Sequence, residues 1–189
     1  MNIPNQLTLG RLALTVVFVL AMSLEFPGAK LVALVVFLVA TLTDYLDGEL
    51  ARRWNLITDF GKLMDPLVDK ILTAAAFILL VPLEALPAWV VIVIIAREFL
   101  ITGLRVLANA KGRTLPAEKL GKHKTAWQMI TIIWFLVLLA GGDLPMVPTE
   151  WLELGWHVIG GVLVAITTFL TVYSGAAYLW KNRELIAEC

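Results

Sequence analysis

Six runs without a single Asp, Glu, Lys or Arg divide this chain: residues 12–24, 31–43, 71–83, 85–96, 125–142 and 154–180. Apolar runs of this length, repeated six times, leave few options. A water-soluble domain of 189 residues buries one core, and it cannot cover this much hydrocarbon when 60% of its residues are hydrophobic and 16% charged. The pattern predicts an all-α integral membrane protein of six transmembrane helices. No internal repeat, linker or low-complexity segment interrupts it, so residues 1–189 read as a single domain. The first run has the length of a signal-peptide core. Arg11 is the only base before it and no A-x-A site follows cleanly, so it reads as a retained first span. The single cysteine, Cys189, excludes a disulfide framework or a thiolate metal cluster.

The first four runs fall short of the roughly 20 residues needed to cross a hydrocarbon core. Their helices must therefore continue into the charged segments beside them. Net charge is zero, so partners are read from where the charges lie. One set of connections ("EFPGAK", "PLEALP", "GGDLPMVPTEWLE") carries five acids and only Lys30 as a base. The opposite side collects Arg11, Arg52, Arg53, Lys62, Arg105, Lys111, Arg113, Lys119, Lys122, Lys124, Lys181 and Arg183. The positive-inside rule then puts both termini in the cytoplasm. Trp151, Trp156, Tyr178 and Trp180 bracket the last run as an interfacial belt would.

Into this apolar chain the stretch "TDYLDGELARRWNLITDFGKLMDPLVDK", residues 43–70, brings six acidic residues. At about 1.5 Å per residue, Asp44 lies about 21 Å along its helix from Lys30, Asp69 about 22 Å back from Glu84, and Arg97 about 20 Å on from Glu84. Three helices thus bring charge to one level, near the cytoplasmic edge of the membrane. Asp44 and Asp47 are spaced i,i+3 and Asp65 and Asp69 i,i+4, so each pair shares a helical face. A short polar connection should make the two helices antiparallel neighbours and let the pairs converge.

Four carboxylates in one low-dielectric pocket repel or protonate unless cations compensate them. All-oxygen donors with no Cys and no nearby His select hard ions such as Mg2+ or Mn2+, which keep positions open for phosphates. Gly48 and Gly61 clear side chains from beside the carboxylates, and Arg52, one turn beyond Gly48, offers a planar fork to a phosphate. Pro66, directly after Asp65, predicts a break or kink in the third helix.

Downstream, "AREFLITGLRVLANAKGRTLPAEKLGKHKT", residues 96–125, is rich in bases. Arg97 sits at the depth of the carboxylates, and Arg105 follows eight residues on, within a quarter turn of the same face. Lys122 and Lys124 return at the start of the fifth helix. Cations beside a metal site suggest an acceptor with its own phosphate. Pairing of Arg97 with Glu98 or an aspartate is the alternative for that residue. Lys111, Arg113 and Lys119 belong to the ordinary positive-inside loop.

Asp44, Asp47, Gly48, Ala51, Arg52, Gly61, Asp65 and Asp69 reproduce D-x2-D-G-x2-A-R-x8-G-x3-D-x3-D with every spacing intact. In this the chain resembles the CDP-alcohol phosphatidyltransferases. "NIPNQLTLGR" at the start and "AREFLITGLR…GKHKT" later are similar to the bacterial phosphatidylglycerophosphate synthase branch of that family. The resemblance implies a six-helix bundle with a cytoplasmic-facing polar cavity, usually a homodimer, in the bacterial cytoplasmic membrane. It implies that Asp44, Asp47, Asp65 and Asp69 hold two divalent cations, Mg2+ or Mn2+, and that Asp69 also acts as general base. Gly48, Ala51, Arg52, Thr58 and Gly61 would meet the cytidine diphosphate group of CDP-diacylglycerol. Asn5 and Thr8 would close over the nucleotide from a short amphipathic N-terminal segment, or form a simple turn before the first helix. Arg97, Arg105, Lys122 and Lys124 would grip the phosphate of sn-glycerol 3-phosphate. Nucleic acid is not an expected partner; membrane lipids are.

Serine, inositol phosphate and phosphatidylglycerol stay open as acceptors of a sibling enzyme, although the base cluster argues against the uncharged ones. An intramembrane prenyltransferase would also hold Mg2+-diphosphate on aspartates, but the spacing disfavours it. A cation transporter would need a polar path through the outer part of the membrane, and the charges gather at one edge instead.

Overall fold

The computed structural model describes the backbone of residues 3–54, 59–110, 112, 119–143 and 148–183, and side chains within 9–43, 68, 70–109, 112, 121–143 and 148–183. All of the regular structure among the described residues is helical. Six long helices follow one another: α1 Ile3–Ser23, α2 Ala29–Trp54, α3 Asp59–Leu80, α4 Ala88–Ala110, α5 Lys119–Gly142 and α6 Thr149–Lys181. The helices do continue into the charged segments: α2 runs ten residues past Asp44, and α3 already begins at Asp59. Lengths of 21 to 26 residues for α1 to α5 correspond to about 32–39 Å, enough for a hydrocarbon core about 30 Å thick. Of the described stretches, Gly121–Gly142 and Thr149–Lys181 are long and apolar enough throughout to cross a membrane. The others reach such a length by including charged ends.

Three local expectations are corrected. Asn5 and Thr8 do not sit on a separate segment or in a turn, because α1 is helical from Ile3. Pro66 does not end or split α3, which runs on to Leu80. Proline removes one donor and frees one carbonyl, a loss that helix packing and small backbone adjustments absorb in membrane-type helices. The sixth helix starts at Thr149 rather than near Leu154. Pro148 in an extended conformation precedes it, and Glu150 in its first turn complements the helix dipole.

Connections away from the charged segments are short and tied down. Gly28 takes a left-handed φ of 79° between α1 and α2. Lys30 Nζ donates to the Met22 carbonyl (2.7 Å), satisfying a C-terminal acceptor of α1. The Lys30 backbone N–H donates to Asp143 Oδ2 (3.3 Å), which puts an anion at the start of α2 and fastens the end of α5 there.

The core lies between α1, α2, α3, α4 and α5. Phe18 and Phe37 meet at 5.5 Å, flanked by Ala33, Ala40, Phe77, Leu80, Val90, Ile132 and Leu136, all buried. In α2 the buried residues Ala29, Ala33, Phe37 and Ala40 recur at helical spacing, small ones letting α1 and α5 approach. The outward faces are equally apolar: Ile92, Phe99 and Val106 of α4 are 66%, 63% and 64% exposed. An exterior as greasy as the interior suits lipid rather than water.

α5 and α6 are joined by a polar seam. The Thr131 and Thr167 hydroxyls lie 2.8 Å apart, and Gln128 Nε2 donates to Thr171 Oγ1 (3.5 Å). A π-helical turn, Gly155–Ile159, interrupts α6. Trp134 Nε1 of α5 donates to its Gly155 carbonyl (3.0 Å), and Trp156 packs edge-on against Phe135 at 4.9 Å. Gly160 is required here, since a Cβ would lie 2.7 Å from Phe135 Cζ. Replacing Gly160 with Ala should destabilise the protein by about 1–3 kcal/mol through overpacking. Thermal unfolding in detergent checks this against Gly161→Ala, whose Cβ would meet nothing within 4 Å.

Candidate functional site

A cavity of about 460 Å³ opens between the charged ends of α3, α4 and α5. Helical spacing builds its walls. Arg97, Ile101 and Arg105 recur at i,i+4,i+8 on α4, with Glu98 and Thr102 on the adjoining stripe. Lys70 enters from α3; Gly121, Lys122, Lys124 and Thr125 enter from the first turns of α5. The four cations selected in the sequence for an acceptor phosphate, Arg97, Arg105, Lys122 and Lys124, therefore line one cavity together with Lys70. Among the described residues that line it, Glu98 is the one carboxylate.

Glu98 organises the deep end. Its Oε1 accepts from Arg97 Nη1 (3.1 Å) and forms an ion pair with Lys124 Nζ. The Lys124 side chain is only 2% exposed, and a buried ammonium without a partner would be strongly destabilising. Lys70 Nζ donates to Thr102 Oγ1, whose hydroxyl donates to the Glu98 backbone carbonyl (2.7 Å).

α6 supports both arginines from behind. Arg97 Nη2 donates to Ser174 Oγ (3.2 Å), and its stem passes where a Cβ on Gly175 would lie 3.0 Å from Cγ. Arg97 Nε is buried with no hydrogen-bond partner among the described residues. Arg105 Nε donates to the Tyr178 hydroxyl (3.4 Å), and its guanidinium lies 5.6 Å over the Tyr178 ring. Ser174, Gly175 and Tyr178 thus present one surface of α6 to the cation pair.

This corrects the expected aromatic belt. Trp151 and Trp180 are outward, at 69% and 73% exposure, but Tyr178 is buried beneath Arg105 and Trp156 faces Phe135. Sequence reasoning also gave no role to Ser174. Its one signal is a small polar residue next to a glycine on an otherwise apolar helix. Glu98 had surfaced only as a pairing option for Arg97, and its hold on Lys124 was not foreseen.

The side chains of Asn5, Thr8, Asp44, Asp47, Ala51, Arg52, Asp65 and Asp69, with Gly48 and Gly61, lie outside the described residues except as backbone on α1, α2 and α3, and Thr58 lies outside altogether. Helix register still constrains the aspartates. Asp44 stands ten residues before the end of α2 and Asp69 ten after the start of α3; Asp47 stands seven before and Asp65 six after. Only residues 55–58 separate the helices, so their ends lie within about 17 Å of each other. At about 1.5 Å per residue the outer two aspartates are each about 15 Å from that connection and the inner two about 10 Å. The donor set is carboxylate oxygen at matched registers, with no Cys or His in α2 or α3, and it fits hard divalent cations. Asp69 immediately precedes Lys70, which lines the cation-rich cavity.

An apolar-surfaced, all-helical protein carrying an aspartate-rich helix pair next to a cationic cavity is suited to handling phosphorylated groups at a membrane. Comparison with known proteins gives the class a name: the CDP-alcohol phosphatidyltransferase family matches residues 1–176, and the chain belongs to it. A relative from Bacillus subtilis (strain 168), named CDP-diacylglycerol--glycerol-3-phosphate 3-phosphatidyltransferase, is 40% identical over 98% of this chain and 97% of its own. Relatives of the same name from Salmonella paratyphi A (strain ATCC 9150 / SARB42) and Rickettsia bellii (strain RML369-C) are 36% and 33% identical. These cover 96% and 94% of this chain and 95% and 93% of their own.

Proposed function

We propose that this chain transfers the phosphatidyl group of CDP-diacylglycerol to sn-glycerol 3-phosphate, giving phosphatidylglycerophosphate and CMP. The observation that carries this reading is the cavity: five cationic side chains around one described carboxylate form a receptor for an acceptor that brings its own phosphate. The names of the bacterial relatives support it. The protein works in the bacterial cytoplasmic membrane as a six-span homodimer, both termini and the cavity facing the cytoplasm, a disposition that the one-sided distribution of bases supports.

Asp44, Asp47, Asp65 and Asp69 would hold two divalent cations, Mg2+ or Mn2+, which when bound offset the charge of the substrate diphosphate and of the departing CMP. Arg52 binds the diphosphate as a planar fork, with Gly48, Ala51, Thr58 and Gly61 leaving room for the cytidine nucleotide; Asn5 and Thr8 cover it from α1. Arg97, Arg105, Lys122 and Lys124 hold the acceptor phosphate and orient its free hydroxyl. Asp69 takes the proton as that hydroxyl oxygen attacks the phosphorus bearing diacylglycerol. A new P–O bond forms there as the bond to CMP breaks. The apolar outer faces keep the acyl chains of the donor in lipid.

CMP release from CDP-diacylglycerol, measured with glycerol 3-phosphate, inositol phosphate, serine and phosphatidylglycerol in turn, tests the assignment. Glycerol 3-phosphate should be the best acceptor, and faster turnover with another would replace this reading by that of a sibling enzyme. Arg97→Gln should raise the Michaelis constant for glycerol 3-phosphate about ten- to a hundredfold, the loss of a charge-assisted hydrogen bond of about 1.5–3 kcal/mol. The constant for CDP-diacylglycerol should change little. Equal weakening of both substrates would point instead to a displaced α4.

A further inference from the structure

We propose that Glu98 is a built-in counter-ion that sets how tightly the cavity holds a phosphate. It compensates Lys124 and Arg97 when no anion is bound and keeps the anion exchangeable when one is. The inference rests on the acceptor site proposed above and adds to it a residue that acts through the cations rather than on the substrate.

Three observations converge on Glu98. First, Lys124 is 2% exposed and hydrogen-bonded to Glu98 Oε1, so a partner for it must be present in the resting protein. Second, the same oxygen accepts from Arg97 Nη1, and Glu98 Oε2 has no hydrogen-bond partner among the described residues. One carboxylate oxygen thus serves two cations at the cavity wall. Third, among the described residues this is the one carboxylate beside five cationic side chains lining the space. A carboxylate placed there repels a phosphate dianion and competes with it for Arg97 and Lys124.

The arrangement has a consequence for turnover. The product phosphatidylglycerophosphate carries the same phosphate as the acceptor, so a cavity in which Arg97 and Lys124 lacked Glu98 would hold the product as firmly as the substrate. A resident carboxylate lowers the affinity for both and lets the product leave. Glu98 is therefore a positioning residue: it orients Arg97 and Lys124 and moderates their charge.

Titration of the purified full-length protein in detergent with inorganic phosphate, at low salt and without added divalent cations, tests this by calorimetry. Glu98→Gln can still accept from Arg97 and Lys124 but lacks the charge, and it should bind phosphate at least about tenfold more tightly. Glu98→Asp keeps the charge and should stay within about twofold of the parent. Lys122→Gln should weaken phosphate binding in both the parent and the Glu98→Gln background, locating the anion in the cavity. In turnover, Glu98→Gln should lower both the Michaelis constant for glycerol 3-phosphate and kcat, a joint shift that loss of fold does not produce.

Phosphate binding that is unchanged, weaker or undetectable in folded Glu98→Gln overturns the proposal, as does binding that ignores Lys122→Gln. If Glu98→Gln does not fold because Lys124 is left unpaired, the same comparison is made in the Lys124→Met background. There Glu98→Gln must again tighten phosphate binding. Failure of the acceptor assignment shows separately, as preference for another phosphorylated acceptor with the phosphate titration unaffected.

Discussion

Chelation with excess EDTA should abolish CMP release, and Mg2+ or Mn2+ should restore it. The expectation follows from what α2 and α3 carry. Asp44, Asp47, Asp65 and Asp69 occupy matched registers on either side of a four-residue connection, and four carboxylates, if they converge in an apolar setting, need positive charge to remain ionised. Carboxylate-only donors bind hard ions that exchange readily, unlike the closed thiolate sites that survive chelators. Loss of activity should therefore be rapid and fully reversible. Zn2+ should be a poor substitute, because α2 and α3 contain no His or Cys. Full turnover in excess EDTA would remove the two-cation reading.

The relation between sequence and structure follows from the range over which each signal acts. Charge-free runs are local signals, and the number of helices was legible from them. The aspartate pairs rest on an equally local signal, since i,i+3 and i,i+4 spacing implies a shared face whatever the tertiary fold, but their side chains lie outside the described residues. Grouping Arg97 with Arg105 also used only helix period, and both line the cavity. The contacts that were not legible join helices far apart in the chain. Glu98 meets Lys124 across 26 residues and Arg105 meets Tyr178 across 73. Which face of α6 turns toward α4 depends on how whole helices rotate against each other, and no local period encodes it. Tyr178 shows this well. An aromatic hydroxyl near a helix end satisfies an interfacial belt and an arginine of a neighbouring helix equally, so its position in the sequence could not decide between them. Pro66 misled in the opposite direction: a strong local rule predicts an interruption, and α3 runs from Asp59 to Leu80.

Asp69→Asn should lower turnover by about a hundredfold or more, the usual scale for losing a general base, while leaving binding of CDP-diacylglycerol largely intact. Two features single out Asp69 among the four aspartates. It lies ten residues into α3, farthest of the α3 pair from the connection, and it directly precedes Lys70 at the cavity wall. An acceptor whose phosphate is held by Arg97, Arg105, Lys122 and Lys124 needs a base within reach of its hydroxyl, and Asp69, one residue before a cavity-lining residue of α3, is the aspartate proposed for it. Asparagine keeps the size and one acceptor oxygen of the side chain but cannot take a proton. Asp44→Asn should differ, because Asp44, on α2 with Asp47, is proposed only to hold a cation and not to take the proton. Its loss should weaken binding of the nucleotide-lipid as well as turnover. The comparison needs two measurements on each variant: binding of CDP-diacylglycerol with Mg2+ present, and the rate of CMP release at saturating glycerol 3-phosphate. Equal loss of binding and turnover in both variants would give Asp69 no role separable from cation binding, and the proton would then have to leave the acceptor to another base.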